Sequence, residues 1–343
     1  MHLSIRWFGR DDPVTLEAIR QIPGVEGIVG ACFDVPVGEP WSKEDVNGLA
    51  EDVEHLGLKL AAIESIPVHE DIKLGRPSRD RYIESFSVSL ENVGACGVPV
   101  VCYNFMPVFD WMRTDLAFGL PDGSTTLRYD HSALERIDLM QGDRLPGWAT
   151  TYSVEDRADW RTAYSDVEPE QLWDHLAYFL ERVVPVAESN DVLLAIHPDD
   201  PPWSIFGLPR IVNSPAALSR VCDLHESRAN GVTFCTGSLG VVPGVDLASA
   251  ARDLGTRGRI HFVHARNVVT TAPGVFHETK HPSRFGDVDL REVLSVLIET
   301  EFNGPLRPDH GRMIWDESGR PAYGLFDRAL GATYLQGLWE GLS

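Results

Sequence analysis

Eight short apolar runs recur along the chain, separated by longer stretches with helical periodicity. The runs are LSIRWF (3–8), GIVGACF (27–33), LKLAAIES (58–65), VPVVCYNF (98–105), VLLAIHP (192–198), GVTFCTG (231–237), RIHFVHARNV (259–268) and GPLRPD (304–309). Runs of this kind suit strands covered on both faces, as in a parallel sheet. Amphipathic segments such as KEDVNGLAEDVEHLG and EQLWDHLAYFLERVVPVAESN lie between them, several opened by Ser, Asp or a first-turn Pro and some closed by Gly. Eight strand–helix units predict a (β/α)8 TIM barrel as a single domain over residues 1–343. A doubly wound sheet is the alternative, although no GxGxxG follows the first run.

The interval 107–170 breaks this rhythm and is too long for an ordinary βα loop. In a barrel it would extend over the C-terminal face, as a lid or as inert decoration. The 51 acidic and 30 basic side chains give a net charge of −21, which argues against nucleic acid and anionic membranes as partners. No window reaches the roughly 18 apolar residues of a membrane span, and MHLSIRWFGRDD lacks the pattern of a signal peptide. The five cysteines are odd in number and include no CxxC pair, so a disulfide framework is not expected and a reducing cytoplasm is.

Chemistry gathers at the ends of the last four runs, which present His197, Cys235, His264 and Asp309. In a barrel these C-terminal strand ends ring one mouth, where two imidazoles, a thiolate and a carboxylate would make an inner shell for a divalent metal. Taken singly, a strand-end histidine is more often a hydrogen-bonded structural residue and a strand cysteine a small core hydrophobe; the conjunction at four successive units favours the metal site. Arg266 shares the strand parity of His264, and Arg307 that of Asp309, so both could face the mouth and pair with a substrate carboxylate, or form salt bridges. His69 and Asn104 follow the third and fourth runs and could bind hydroxyls or cap loops. His261 faces away from His264 and belongs to the packing, while Asp199 and Asp200 could orient His197. His310 and Tyr323 are further proton-carrying groups near the same end.

The segments RWFGRDDPVTLEAIRQIPGVEGIVG, ESIPVHEDIKLG, VVCYNFMPVFDWMRTDLAF, LAIHPDDPPWSIFGLPRIV, TFCTGSLG, RIHFVHARNV and RPDHGRMIW resemble the mannonate dehydratase family, over nearly the whole chain. The resemblance implies a xylose-isomerase-like TIM barrel and a metal-dependent hydro-lyase that turns D-mannonate into 2-keto-3-deoxy-D-gluconate and water. It implies Mn²⁺ or Fe²⁺ on His197, Cys235, His264 and Asp309, and catalytic roles for His310 and Tyr323. Association into a homo-oligomer is expected. Phe33 and Phe326 stand where tyrosine is common, and the ETKHPSRFGDVDL segment looks individual. A dehydratase of a related aldonate, or a sugar isomerase or epimerase on the same barrel, is the alternative.

Overall fold

The computed structural model describes residues 1–137, 159, 160 and 162–343. Its strands, in chain order, are β1 (His2–Arg6), β2 (Gly27–Gly30), β3 (Lys59–Glu64), β4 (Val100–Tyr103), β5 (Asp115–Gly119) and β6 (Thr125–Asp130). They continue as β7 (Leu193–Ile196), β8 (Asn230–Cys235), β9 (Ile260–Ala265), β10 (Val268–Ala272), β11 (Val275–Glu278) and β12 (Pro305–Pro308). The eight apolar runs supply β1 to β4, β7 to β9 and β12, and these close a parallel barrel in the order β1-β12-β9-β8-β7-β4-β3-β2. Closure excludes the doubly wound alternative, because β1 pairs with both β12 and β2.

Helices return the chain between strands, and their starts are chemically marked. Ser42 and Asp45 form a reciprocal capping box before helix Lys43–Glu54. Ser214 caps helix Pro215–Leu224 with Pro215 in its first turn, and Asp246 caps Leu247–Thr256. Each cap satisfies amide groups that would otherwise lack partners. The helices pack apolar faces onto the outside of the sheet, so most of the core lies between helices and barrel.

A second, smaller apolar cluster fills the barrel interior: Val29, Ala62, Val100, Cys102, Ala195 and Phe262. Side chains alternate along a strand, so the residue two positions onward also faces inward, one layer nearer the C-terminal mouth. That step leads from Val29 to Ala31, Ala62 to Glu64, Cys102 to Asn104, Ala195 to His197 and Phe262 to His264. A plug of apolar side chains thus supports a polar floor, and strand parity decides which residues reach it.

Two runs end earlier than expected. GVTFCTG leaves the sheet at Cys235 and turns into the short helix Thr236–Gly240, while RIHFVHARNV stops at Ala265 and re-enters a strand at Val268. The latter strand belongs to a four-stranded antiparallel sheet, in the order β10-β11-β6-β5, which the apolar pattern does not foretell. Phe276 pairs with Tyr129 across this sheet, the two rings stacking at 5.6 Å. The interval 107–170 therefore contributes the hairpin β5–β6, while its residues 138–158 and 161 lie outside the described ones. Bridges from Trp111 to Asp200 and from Thr125 to Met313 tie this hairpin region to the loops after β7 and β12.

Candidate active site

The mouth holds a cavity of about 360 Å³, lined among others by Arg6, Glu64, Asn104, Trp111, His197, His264, Arg266, Arg307, Asp309, His310 and Tyr323. This is the size of a small-molecule site.

His197, Cys235 and His264 come together as expected, with candidate ligand atoms all within 4.8 Å of one another. His197 Nδ1 lies 2.6 Å from the Pro198 carbonyl and donates to it, which turns Nε2 inward to 3.1 Å from His264 Nδ1. Asp309 Oδ2 lies 3.9 Å from both Cys235 Sγ and His264 Nδ1. Burial pushes the Cys235 thiol up, but Arg266 and the two imidazoles outweigh it and hold the group well below the usual thiol range, as a thiolate. The thiolate and the two inward imidazole nitrogens are donors that a divalent transition metal takes, and the Asp309 carboxylate stands beside them. His264 presents its other nitrogen, Nε2, to Glu64 Oε2 at 3.5 Å, so a carboxylate backs this imidazole.

Glu64 was missed at the sequence level, although its parity with Ala62 on β3 is the relation that singled out Arg266 and Arg307. Asp199 and Asp200 do not orient His197. Asp199 accepts the Val212 amide at 2.8 Å, and its buried carboxyl is pushed up to about 6. Asp200 is held by Arg113 at 2.8 Å and by Arg266 at 2.7 Å.

Both expected arginines face the mouth, but each is already paired with protein carboxylates. Arg266 also donates to Ser238 Oγ at 2.9 Å, and its NH1 lies 3.5 Å from Asp309 and from Glu278. Arg307 donates to Glu64 Oε1 at 2.9 Å and pairs with Asp309 Oδ1 at 2.6 Å. Asn104 lines the cavity and hydrogen-bonds Asp110, whose carboxyl burial pushes up. His69 is a correction: it caps the short helix Glu70–Lys73, accepting the Asp71 amide on Nδ1 at 3.0 Å, and stacks on Tyr82 with ring centroids 3.5 Å apart. It does not line the cavity, so the loop-capping alternative holds. His261 is packed, its Nδ1 donating to the Leu194 carbonyl at 2.8 Å.

Beyond the ligand cluster, His310 Nε2 lies 3.0 Å from Tyr323 Oη and its Nδ1 2.7 Å from Glu278 Oε1. The carboxylate accepts the Nδ1–H, leaving Nε2 to accept from the tyrosine. His310 has a φ of +43°, a conformation that costs a non-glycine residue energy, and its Nε2 lies 3.7 Å from Asp309 Oδ1. Burial pushes the Tyr323 phenol up, so it stays protonated at neutral pH. Glu278 ends β11, in the segment that looked individual, and no sequence signal marked it as part of the site. Arg312 has a supporting part: it grips Asp327 of helix Leu325–Leu342 at 2.7 Å and Asp122 at 2.8 Å, pinning the loop that carries His310.

Gly237 permits this packing. A Cβ at Gly237 would collide with Nε of Arg266. Gly237→Ala is expected to displace that guanidinium and lower kcat by about 100-fold, the scale of a misplacement near 1 Å. Kinetics with a melting curve check it; wild-type kcat would show that Arg266 need not be held there.

Three comparisons bear on this site. The family model described as D-mannonate dehydratase (UxuA) matches residues 1–343. Mannonate dehydratase 2 of Halalkalibacterium halodurans is 52% identical over 344 residues, covering 100% of both chains. The crystal structure of mannonate dehydratase from Streptococcus suis serotype 2 superposes with a TM-score of 0.93 at 47% identity, covering 100% of this chain and 95% of that one. A xylose isomerase domain protein from Planctomyces limnophilus, at 11% identity and a TM-score of 0.57 over 99% of this chain and 97% of that one, shares the fold alone. With a whole-length family match and about half its residues shared with such relatives, this chain belongs to the D-mannonate dehydratase (UxuA) family.

Proposed function

We propose that the protein is a hydro-lyase that converts D-mannonate into 2-keto-3-deoxy-D-gluconate and water, with Mn²⁺ or Fe²⁺ held by His197, Cys235, His264 and Asp309. The observation that carries this reading is the placement of a proton-transfer pair, His310 and Tyr323, at the edge of the four-residue donor cluster in one cavity. An isomerase or epimerase needs no acid for a departing hydroxyl.

A divalent ion in that cluster supplies Lewis acidity for the negative charge that builds when the carbon beside a carboxylate loses its proton. His310 Nε2 takes the C2 proton, and Glu278 at 2.7 Å stabilises the resulting imidazolium. Tyr323, kept protonated by burial, gives its proton to the C3 hydroxyl as the C3–O bond breaks and the C2–C3 double bond forms. Water leaves, and the enol tautomerises to the 2-keto acid. The pair is then imidazolium beside phenolate, 3.0 Å apart, and one proton transfer from His310 to Tyr323 restores both.

The test is to incubate metal-reconstituted protein with a panel of aldonates and assay 2-keto-3-deoxy acids. No keto acid from mannonate with Mn²⁺, Fe²⁺ or Co²⁺ defeats the reading. Tyr323→Phe is expected to lower kcat by about 10²- to 10⁴-fold with metal content unchanged; full activity in that variant moves the acid elsewhere. Among the described residues no helix is long and apolar enough to cross a membrane.

A further inference from the structure

The mouth has two walls. Metal-ligand candidates come from β7, β8, β9 and the end of β12, and opposite them β1 to β3 present Arg6, Ala31 and Glu64. Arg6, at the end of β1, is only 5% exposed and lines the cavity. Its NH1 donates to the Val29 carbonyl at 3.3 Å, and its guanidinium carbon lies 4.9 Å from the Phe8 ring centroid and 5.3 Å from that of Phe33.

What sets Arg6 apart is its partners. Arg113, Arg266 and Arg307 each pair with a carboxylate at 2.8 Å or closer. Arg328, buried nearby, donates through all three nitrogens to the carbonyls of Gly324, Tyr323 and Arg6. Among the described residues Arg6 forms no ion pair within 4.0 Å. Burial accordingly holds its guanidinium below the usual arginine range, opposed mainly by Glu64 at longer range, whereas Arg266 and Arg307 are held above it by their carboxylate partners. A buried cation is costly unless an anion or polar groups compensate it, and one backbone carbonyl does not balance a full charge.

We propose that Arg6 is the anchor for the substrate carboxylate, holding the sugar acid so that C2 and C3 lie between the ligand cluster and the His310–Tyr323 pair. This rests on the sugar-acid reading above and replaces the assignment of that role to Arg266 and Arg307. The surrounding frame is rigid. Arg328 bonds the carbonyls of Arg6 at 2.7 Å and of Tyr323 at 2.6 Å, and the Phe8 ring, under Arg6, meets Tyr323 edge-on at 4.7 Å. Anchor and proton donor are therefore fixed to one another. The planar fork of an arginine matches a carboxylate with two parallel hydrogen bonds, which a lysine cannot do.

The experiment compares wild type, Arg6→Met and Arg6→Lys, all metal-reconstituted, by steady-state kinetics on mannonate and by thermal shift with mannonate against the neutral alditol mannitol. Arg6→Met is expected to lower kcat/KM by about 100-fold or more, on the scale of truncating one partner of a buried charge pair, with Arg6→Lys in between. It should also lose the preference for the aldonate over the alditol, while metal content stays at the wild-type level. A purely structural role would lower stability without changing that preference. Wild-type kcat/KM, or an intact aldonate preference, in Arg6→Met overturns the proposal. Should Arg6→Met not fold, Arg6→Lys decides: wild-type kcat/KM in it overturns the bidentate anchor. A wild-type protein that makes no keto acid defeats the mannonate reading alone, because the aldonate and alditol comparison still reports on Arg6.

Discussion

Replacing Cys235 by serine is expected to lower the metal content and the activity of the metal-reconstituted protein together while leaving the fold in place, as the proposed ligand set requires. The Cys235 side chain is fully buried, its Sγ within reach of both imidazoles and 3.9 Å from Asp309. Arg266 NH2, 3.5 Å from the sulfur, together with the imidazoles keeps it ionised. A serine hydroxyl at the same place would stay neutral, so the cluster would lose one of its two anionic donors and its softest atom. Arg266 would at the same time lose part of its negative surroundings. Loss of a tuned neighbour of a ligand typically weakens metal affinity by about 10- to 100-fold, and loss of a ligand should exceed that. Metal content after dialysis, by elemental analysis, should fall in parallel with kcat, and the metal-free melting temperatures should nearly coincide, since serine leaves little void. Retained metal and activity would remove Cys235 from the shell.

The barrel and most of its site were legible in the sequence because both obey one periodicity. Strands covered on both faces read as continuous apolar runs, and ligand-type residues at the ends of four successive runs point to a site where a single one would not. That logic reached His197, Cys235, His264 and Asp309. Applied evenly it would also have reached Arg6 and Glu64, which end β1 and β3 with the same parity. It failed where geometry comes from tertiary contacts: Glu278 and Arg113 lie in or beside the antiparallel sheet, whose strands are partly exposed and carry no continuous apolar run. His69 went the other way. Its position after a strand suggested the mouth, but the following Glu-Asp pair opens a helix, and the imidazole caps it. Partners of an arginine are likewise invisible in sequence, so parity could place Arg266 and Arg307 at the mouth without revealing that their charges are already balanced.

Arg113→Met is expected to be the most destabilising single change near the site that touches neither metal nor substrate. Arg113 is fully buried and donates twice to Asp200, at 2.8 and 2.9 Å, and twice to Glu278, at 2.8 and 3.2 Å. It also fastens the antiparallel sheet to the loop after β7. Methionine fills much of the space but removes one of the two guanidinium groups shared by Asp200 and Glu278 and leaves Arg266 alone between them, and breaking a buried pair in this way costs about 3–5 kcal/mol. Activity should fall further than stability requires, since Glu278 steadies His310 and Asp200 steadies Arg266. The pH dependence has a definite sign. In the wild type the Glu278 carboxyl is held below its usual range: burial raises it, but His310 and Arg113 outweigh burial. Its contribution is therefore present above the unfolded carboxylate pKa and lost as the pH falls through the folded value. Without Arg113 burial is opposed more weakly, by His310 and Arg266 alone, and the carboxyl moves upward, so the stability gap between variant and wild type should narrow between pH 7 and about pH 4.5. Denaturant melts at the two pH values measure the gap. Adding Glu278→Gln to Arg113→Met removes one stranded charge and should recover part of the loss at pH 7. A double variant no more stable than Arg113→Met would assign the cost to lost packing against Phe276, whose ring lies 5.0 Å from the guanidinium carbon, and not to the buried charge.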